Sequence, residues 1–471
     1  MRVMAAALLG IGFAGTLLAQ DTRVVTEPVI PPVCAVVKAE LVAQVGKSGG
    51  VAEADEQRLD TARVQKGIDH CKAGHALELA SDGERNAFLS GPLQLRRGVT
   101  LLVDKGVTLY GSRDPKVYEK SPGSCGVVND EKAGCRTLIV ADHAADAGVM
   151  GDGVIDGRGG ARLLVDGKET DKTWWQLAED ARGRNGQKDR RQQVPRLMEM
   201  EASNNFTLYR ITLKNSANFH VVYHHGDGFT VWGLKIDTPK SARNTDGVDP
   251  SASKNITVTQ SYIRDGDDNI AIKGGDGPVT NMTVIHNHFY YGHGMSIGSE
   301  TNGGVSAIRV TDLSLDGDDD AIRIKSNPSR GGLVHDVVYE DVCIRNSKAP
   351  VLLDTNYNYP GTATDRYPVY KEITLRDVRI VGGGRFQVNG FDATHRIGLR
   401  LDGVELLDSA SAYKFAVNHA DVTLGPGPVN FTLSGTDSTV TGRPGDGKLA
   451  GCAAKFVAFP ETGSSEQELR R

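Results

Sequence analysis

One short phrase recurs through the middle of the chain at nearly constant spacing, and that recurrence leaves few folds open. It reads Asn205-Phe-Thr-Leu, Phe229-Thr-Val, Asn255-Ile-Thr-Val, Asn281-Met-Thr-Val, Ile308-Arg-Val, Val337-Val-Tyr, Ile373-Thr-Leu and Leu399-Arg-Leu. Aligned on one strand position, the column is Thr207, Thr230, Thr257, Thr283, Arg309, Val338, Thr374 and Arg400, with steps of 23, 27, 26, 26, 29, 36 and 26 residues. A period in this range marks a solenoid. Each unit holds two or three short β-branched stretches, such as 256–258, 269–272 and 295–297, with Gly, Asp and Asn turns between them. No unit carries an amphipathic helix between its strands, which argues against βαβ repeats and a TIM barrel. The strands must then stack on their equivalents one coil away. A β-propeller is the competing arrangement, but its blades are longer and carry more aromatic markers. An aromatic share of 6% with 56 glycines fits short strands and tight turns instead. The expected fold is all-β: a single-stranded right-handed parallel β-helix over 20–461, in one domain.

A solenoid needs its open end covered. Residues 60–72 place Val64, Ile68 and Cys71 at i, i+4, i+7 spacing and Gly74 can end the helix, so this segment is the expected N-terminal cap. Residues 164–195 are polar, contain Trp174-Trp175 and read as an insertion; 462–471 read as a polar tail. At the other end, Arg2 followed by an almost unbroken apolar run over 3–19 has the form of a secretory signal, with cleavage after Ala19 or Gln20. The run is short for a membrane span and lacks a basic stop-transfer flank. Export makes the six cysteines disulfide candidates, although six allow 15 connectivities. Cys125 with Cys135, and Cys34 with Cys71, are the expected pairs. A net charge of −5 without a Lys/Arg block argues against nucleic acid. A secreted monomer, free of the membrane after signal cleavage, is the expected state.

Four clusters fall one per coil: Asn244-Thr-Asp246, Gly266-Asp267-Asp268, Gly292-His293-Gly294 and Arg323-Ile-Lys325. The intervals 246 to 267, 268 to 293 and 293 to 323 are 21, 25 and 30 residues, close to the repeat. Residues one coil apart in a parallel β-helix lie about 4.7–4.9 Å apart along the axis, so the clusters converge on one face. Glycoside hydrolysis needs such a patch: one carboxylic acid to protonate the leaving oxygen and a carboxylate to activate water or attack carbon. Crowding among the three aspartates is expected to keep one of them protonated. His293 can hold or tune that acid. Arg323 and Lys325 face one side of a strand and can grip a sugar carboxylate, one as a fork and one as a point charge. Asp267 and Asp268 are neighbours, so both can serve the site only from a bend, which Asp265-Gly266 supplies.

Each cluster alone has a bland reading as a solenoid turn or an exposed strand; the ordered set at coil spacing carries the signal. A competing cluster, Asp318-Asp319-Asp320, repeats the Asp-Gly-Asp-Asp spelling of 265–268, and only its place outside the Asp246-to-His293 interval demotes it. Asn-X-Ser/Thr sites at Asn205, Asn255, Asn281 and Asn430 sit mostly at strand starts, and three of them read as repeat positions.

With these clusters in this order, with Trp174-Trp175, Asn218-Phe-His220, the run 241–250 (Ser-Ala-Arg-Asn-Thr-Asp-Gly-Val-Asp-Pro) and the run 292–300 (Gly-His-Gly-Met-Ser-Ile-Gly-Ser-Glu), the chain resembles the polygalacturonases of glycoside hydrolase family 28 over nearly all of its mature length. The Cys125–Cys135 loop is similar to that of bacterial endo-acting members. The resemblance implies hydrolysis of the α-1,4-galacturonate backbone of demethylated pectin by a single-displacement, inverting mechanism, with no cofactor or metal. It implies Asp267 as general acid, Asp246 and Asp268 as the water-activating pair and His293 as support. It implies Arg323 and Lys325 as carboxylate binders, with Asn244 and Tyr357 or Tyr359 as further substrate contacts. One departure stands out: Asp318 to Asp320 precede Arg323, and if they face the groove they repel galacturonate. The competing functions are a calcium-dependent pectate lyase, a rhamnogalacturonan hydrolase and a non-catalytic glycan-binding solenoid.

Overall fold

The computed structural model describes residues 21–44, 50–183, 188–359, 361 and 364–461. The expected signal segment and C-terminal tail lie outside them. The sequence column is the column that forms. Thr207, Thr230, Thr257, Thr283, Arg309, Val338, Thr374 and Arg400 pair in parallel, each with the next. The register continues to Thr423 and Thr441 at one end, and back through Gly148, Thr100, Ala76 and Val33 at the other. The strands build one 21-stranded and one 11-stranded sheet, and the chain is a right-handed parallel β-helix.

Two columns of left-handed residues bend the coils at matching places. Asn205, Gly228, Asn255, Asn281, Ala307, Asp336 and Glu372 lie just before the aligned column, and Arg210, Gly233, Gln260, His286, Asp312, Asp341, Asp377 and Gly403 just after it, all at positive φ. Asn and Asp visit this region at least cost among residues with a Cβ. The three Asn-X-Thr sites read as repeat positions therefore recur for a backbone reason. Between the bends, alternate side chains point inward and stack coil on coil: Phe206, Phe229, Ile256, Met282, Ile308 and Val337 are at most 1% exposed. At about 25 cal/mol per Å² of buried apolar surface, such ladders supply the main stabilising term.

The capping helix spans Thr61–His70, a little shorter than 60–72, with Val64 and Ile68 fully buried over the first coil. Three disulfides form: Cys34–Cys71 and Cys125–Cys135 as expected, and Cys343–Cys452, which ties the returning C-terminal segment to the coils. The insertion folds as a hairpin, Arg162–Val165 with Lys168–Thr173, and a helix, Trp174–Asp180. Trp174 is buried edge-on to Tyr118 at 6.0 Å between centroids, and the Trp175 indole donates to the Ser216 carbonyl at 2.8 Å.

Candidate active site

The site lies on the outer face of the 11-stranded sheet, where Val248–Ser251, Ile270–Ile272, Met295–Gly298 and Asp320–Lys325 are successive neighbours. Their inward residues Val248, Ile270, Met295 and Ile322 are fully buried, which fixes the opposite parity for the outward set. Outward stand Asp249, Ser296 and Arg323 in one column and Ser251, Lys273 and Lys325 in the next. The expected bend exists. The Asp265 carboxylate accepts the Asp267 N–H at 3.1 Å, and a Cβ on Gly266 would stand 2.0 Å from the Ala242 carbonyl oxygen, so only glycine fits there. Buried Asn269 locks this turn to the next coil, donating to the Tyr291 carbonyl and accepting from the Gly294 N–H, each at 3.0 Å.

The four sequence clusters do converge. Asp268, fully buried, accepts from the Arg323 guanidinium at 2.9 Å, the Lys325 ammonium at 2.8 Å and the Ser296 hydroxyl at 2.7 Å. His293 Nδ1 lies 3.2 Å from Asp267 Oδ1, and Asn244 donates to the other Asp267 oxygen at 3.4 Å. Asn244 is itself held by Gln192 at 3.0 Å. Asp246 meets Lys273 at 3.3 Å, and the same ammonium lies 3.5 Å from Asp249. One expectation of register is corrected. Because Met295 pairs with Ile322, the position one coil above His293 is Asp320, and Arg323 reaches the patch from three residues further along the strand. Tyr357, not Tyr359, stands at the cations: its ring is 5.3 Å from the Arg323 guanidinium and its hydroxyl accepts from Arg323 at 3.3 Å. Tyr359 packs edge-on against Phe391.

Burial and charge divide the carboxyls. Burial, then the neighbouring Asp267 and Asp249, pushes Asp246 well above the ordinary carboxylate range against the pull of Lys273. Burial raises Asp249 to about 7. Burial also penalises the Asp268 carboxylate, but Lys325 and Arg323 outweigh it and hold Asp268 well below that range. Asp267 is lowered too, because the His293 hydrogen bond and nearby Lys325 overcome its burial; in return Asp267 raises His293 against desolvation. Crowding by Asp267 and Asp249 thus adds to burial at Asp246, whereas Asp267 and His293 shift in opposite directions across their hydrogen bond. Ligand atoms of Asp267, Asp268 and His293 lie within 4.8 Å of one another, yet the charge of Asp268 is already matched by Arg323 and Lys325.

The three aspartates before Arg323 do not crowd the groove together. Asp318 is buried with neither oxygen hydrogen-bonded among the described residues, Asp319 is clamped between Lys240 at 2.7 Å and Lys348 at 2.9 Å, and Asp320 lies 3.5 Å from the Arg323 Nε.

A family profile described as Glycosyl hydrolases family 28 matches residues 71–422. The chain belongs to glycosyl hydrolases family 28. A polygalacturonase of Ralstonia nicotianae is 38% identical, with 96% of each chain covered. An endo-polygalacturonase of Pectobacterium carotovorum subsp. carotovorum is 40% identical over 87% of this chain and 96% of its own. The solved polygalacturonase from Erwinia carotovora ssp. carotovora superposes with a TM-score of 0.71 at 36% identity, covering 91% of this chain and 99% of that one.

The protein is therefore a glycoside hydrolase, and this family 28 site contains members that the sequence reading passed over. Lys273 and Asp249 are the main ones. Lys273 was legible as an echo: Ile270-Ala-Ile-Lys273 and Ile322-Arg-Ile-Lys325 share a spelling and a column. Asp249 sits three residues after Asp246, with Asp249 on the outward side of its strand, and no rule of spacing singles it out. Ser296 and Gln192 carry no sequence signal beyond their type.

Proposed function

We propose that this enzyme hydrolyses α-1,4-galacturonosidic bonds within polygalacturonate, as a secreted, endo-acting, inverting hydrolase. The carrying observation is the placement of Arg323 and Lys325 beside three aspartates and a histidine. Two fixed cations at the cut select a sugar bearing a carboxylate, which favours galacturonate over a neutral sugar such as rhamnose. The names of the Ralstonia and Pectobacterium relatives support the substrate, and that of the Pectobacterium relative supports the endo mode. Three disulfides suit an oxidising compartment, and no helix among the described residues is long and apolar enough to cross a membrane.

In this mechanism Asp267 protonates the leaving oxygen. In the free site its proton rests with His293, because Lys325 and the imidazolium favour the carboxylate. A galacturonate carboxylate drawn to Arg323 and Lys325 cancels part of that positive field, and the proton moves onto Asp267 for transfer. Asp246 and Asp268 take the water on the opposite face of the ring. Asp268 stays ionised throughout and anchors the cations. Asp246 is the stronger base once it has lost its own proton, so its ionisation governs the acidic limb of activity, and loss of the Asp267–His293 proton governs the alkaline limb.

Product analysis on polygalacturonate with chelator present tests this reading. New reducing ends without ultraviolet-absorbing unsaturated ends establish hydrolysis, and an early fall in viscosity establishes endo action. Unsaturated ends, or activity that returns only with calcium, would replace the reading by a lyase.

A further inference from the structure

Beyond Arg323 and Lys325 the outer face of the 11-stranded sheet continues for three more coils, through Ala349–Asp354, Gly384–Asn389 and Tyr413–Asn418. Three features of that stretch point one way. First, Arg385 pairs in register with Lys414, both point outward, both are exposed, and neither has an acidic partner among the described residues. Like charges held about 4.8 Å apart on adjacent strands repel, and an anion laid across both relieves the repulsion. Second, the strand-start edge that carries them holds two further cations, Lys240 and Lys348, which clamp Asp319; the Lys348 carbonyl accepts the Arg385 N–H at 2.9 Å, and the Asp408 carboxylate on the same edge is engaged by the Gly382 N–H and the Tyr413 hydroxyl. Third, the opposite, strand-end edge is aromatic, with Tyr357 after one strand and Phe391 after the next, packed with Tyr359 and Tyr367. The N-terminal side of the same face is different: there Glu199 and Glu201 project outward, matched by Arg196 and His225.

We infer that Arg385 and Lys414 extend the substrate cleft on its C-terminal side, as a binding site for the carboxylates of galacturonate units lying two and three coils beyond Arg323. The inference rests on the reading of the site as a polygalacturonate hydrolase. A polyuronate running between the basic edge and the aromatic edge places its carboxylates on the first and its sugar faces against the second, and the one-sided cation ladder makes the cleft polar along its axis.

The test is the double variant Arg385→Ala/Lys414→Ala. Its KM is measured on long polygalacturonate and on a trimer over a range of salt, and its retention in a gel containing polygalacturonate is compared with the parent. Arg400→Ala on the opposite sheet removes a charge as the control. Two exposed contacts predict a rise in polymer KM of about three- to tenfold at low salt, a smaller advantage of polymer over trimer, and a flatter salt dependence; the control keeps the parent values. If the parent cleaves the polymer and the double variant keeps its KM and salt slope, the inference is overturned and the enzymatic reading stands. If the parent does not cleave but is retained by the gel, and the variant is not, the enzymatic reading fails while the polyanion site survives. Neither cleavage nor retention overturns both.

Discussion

Two turns of this protein are spelled almost alike and behave oppositely. Asp265-Gly-Asp-Asp268 opens the strand to Ile272, and Asp316-Gly-Asp-Asp-Asp320 opens the strand to Lys325, two coils further on. Aligned by spelling, Asp267 matches Asp318. Aligned by the ladder, Ile270 stands under Met295 and Met295 under Ile322, so Asp267 lies under Asp319 and Asp268 under Asp320. The second turn has one residue more, and a one-residue slip sends a side chain to a different environment. Asp267 thereby meets His293, and Asp268 meets two cations. Asp318 is buried with no side-chain hydrogen bond among the described residues, and Asp319 goes to the rim between two lysines. What a carboxylate does here is set by the coil stacked beside it, not by its own neighbours in sequence.

The sharpest way to break this contrast is to neutralise both turns. Asp267→Asn and Asp268→Asn are each expected to lower kcat on polygalacturonate by about 10²–10⁴-fold with the circular dichroism of the parent, whereas Asp319→Asn keeps kcat within about twofold. A dead Asp319→Asn beside an active Asp267→Asn would transfer the chemistry to the second turn.

Next in size is the cation that only the structure disclosed. Lys273 lowers Asp246 against its burial. Lys273→Met is expected to raise Asp246 further and so move the acidic limb of the kcat profile to higher pH. A profile that falls at every pH without moving would make Lys273 a packing residue alone.

Asp318 offers a stability test. Burial raises it well above the ordinary carboxylate range. As pH rises, the unfolded chain sheds this proton before the folded chain does, so stability falls from the ordinary Asp range upward. Asp318→Asn removes that loss. Its Tm is expected to match the parent in acid and exceed it at neutral and alkaline pH; equal values at all pH would mean that Asp318 is ionised in the fold.

The smallest effect belongs to the rim. Asp319→Asn frees Lys240 and Lys348 for substrate carboxylates, and the KM for polygalacturonate is expected to fall by up to about threefold, with Tm nearly unchanged because exposed ion pairs contribute about 0–1 kcal/mol. An unchanged KM would place those lysines outside the path of the polymer.

Sequence by itself determined the β-helix and even its register: the column from Thr207 to Arg400 was aligned by spelling and pairs residue for residue. The physical reason is that a solenoid stacks like on like, so inward apolar positions and left-handed Asn bends must repeat wherever the backbone repeats. The Cys125–Cys135 disulfide and the capping helix were legible for similarly local reasons, close spacing and a helical apolar stripe. The catalytic cluster was legible as a set, because its members fall at coil spacing. Tertiary structure alone decided the rest. The coil steps at the site are unequal, which put Asp320 rather than Arg323 above His293, brought Tyr357 rather than Tyr359 to the cations, and added Lys273 and Asp249. It also decided which way each carboxyl shifts, Asp246 upward and Asp268 downward. Burial and the distance to neighbouring charges fix a proton's place, and both belong to residues a full coil away in sequence.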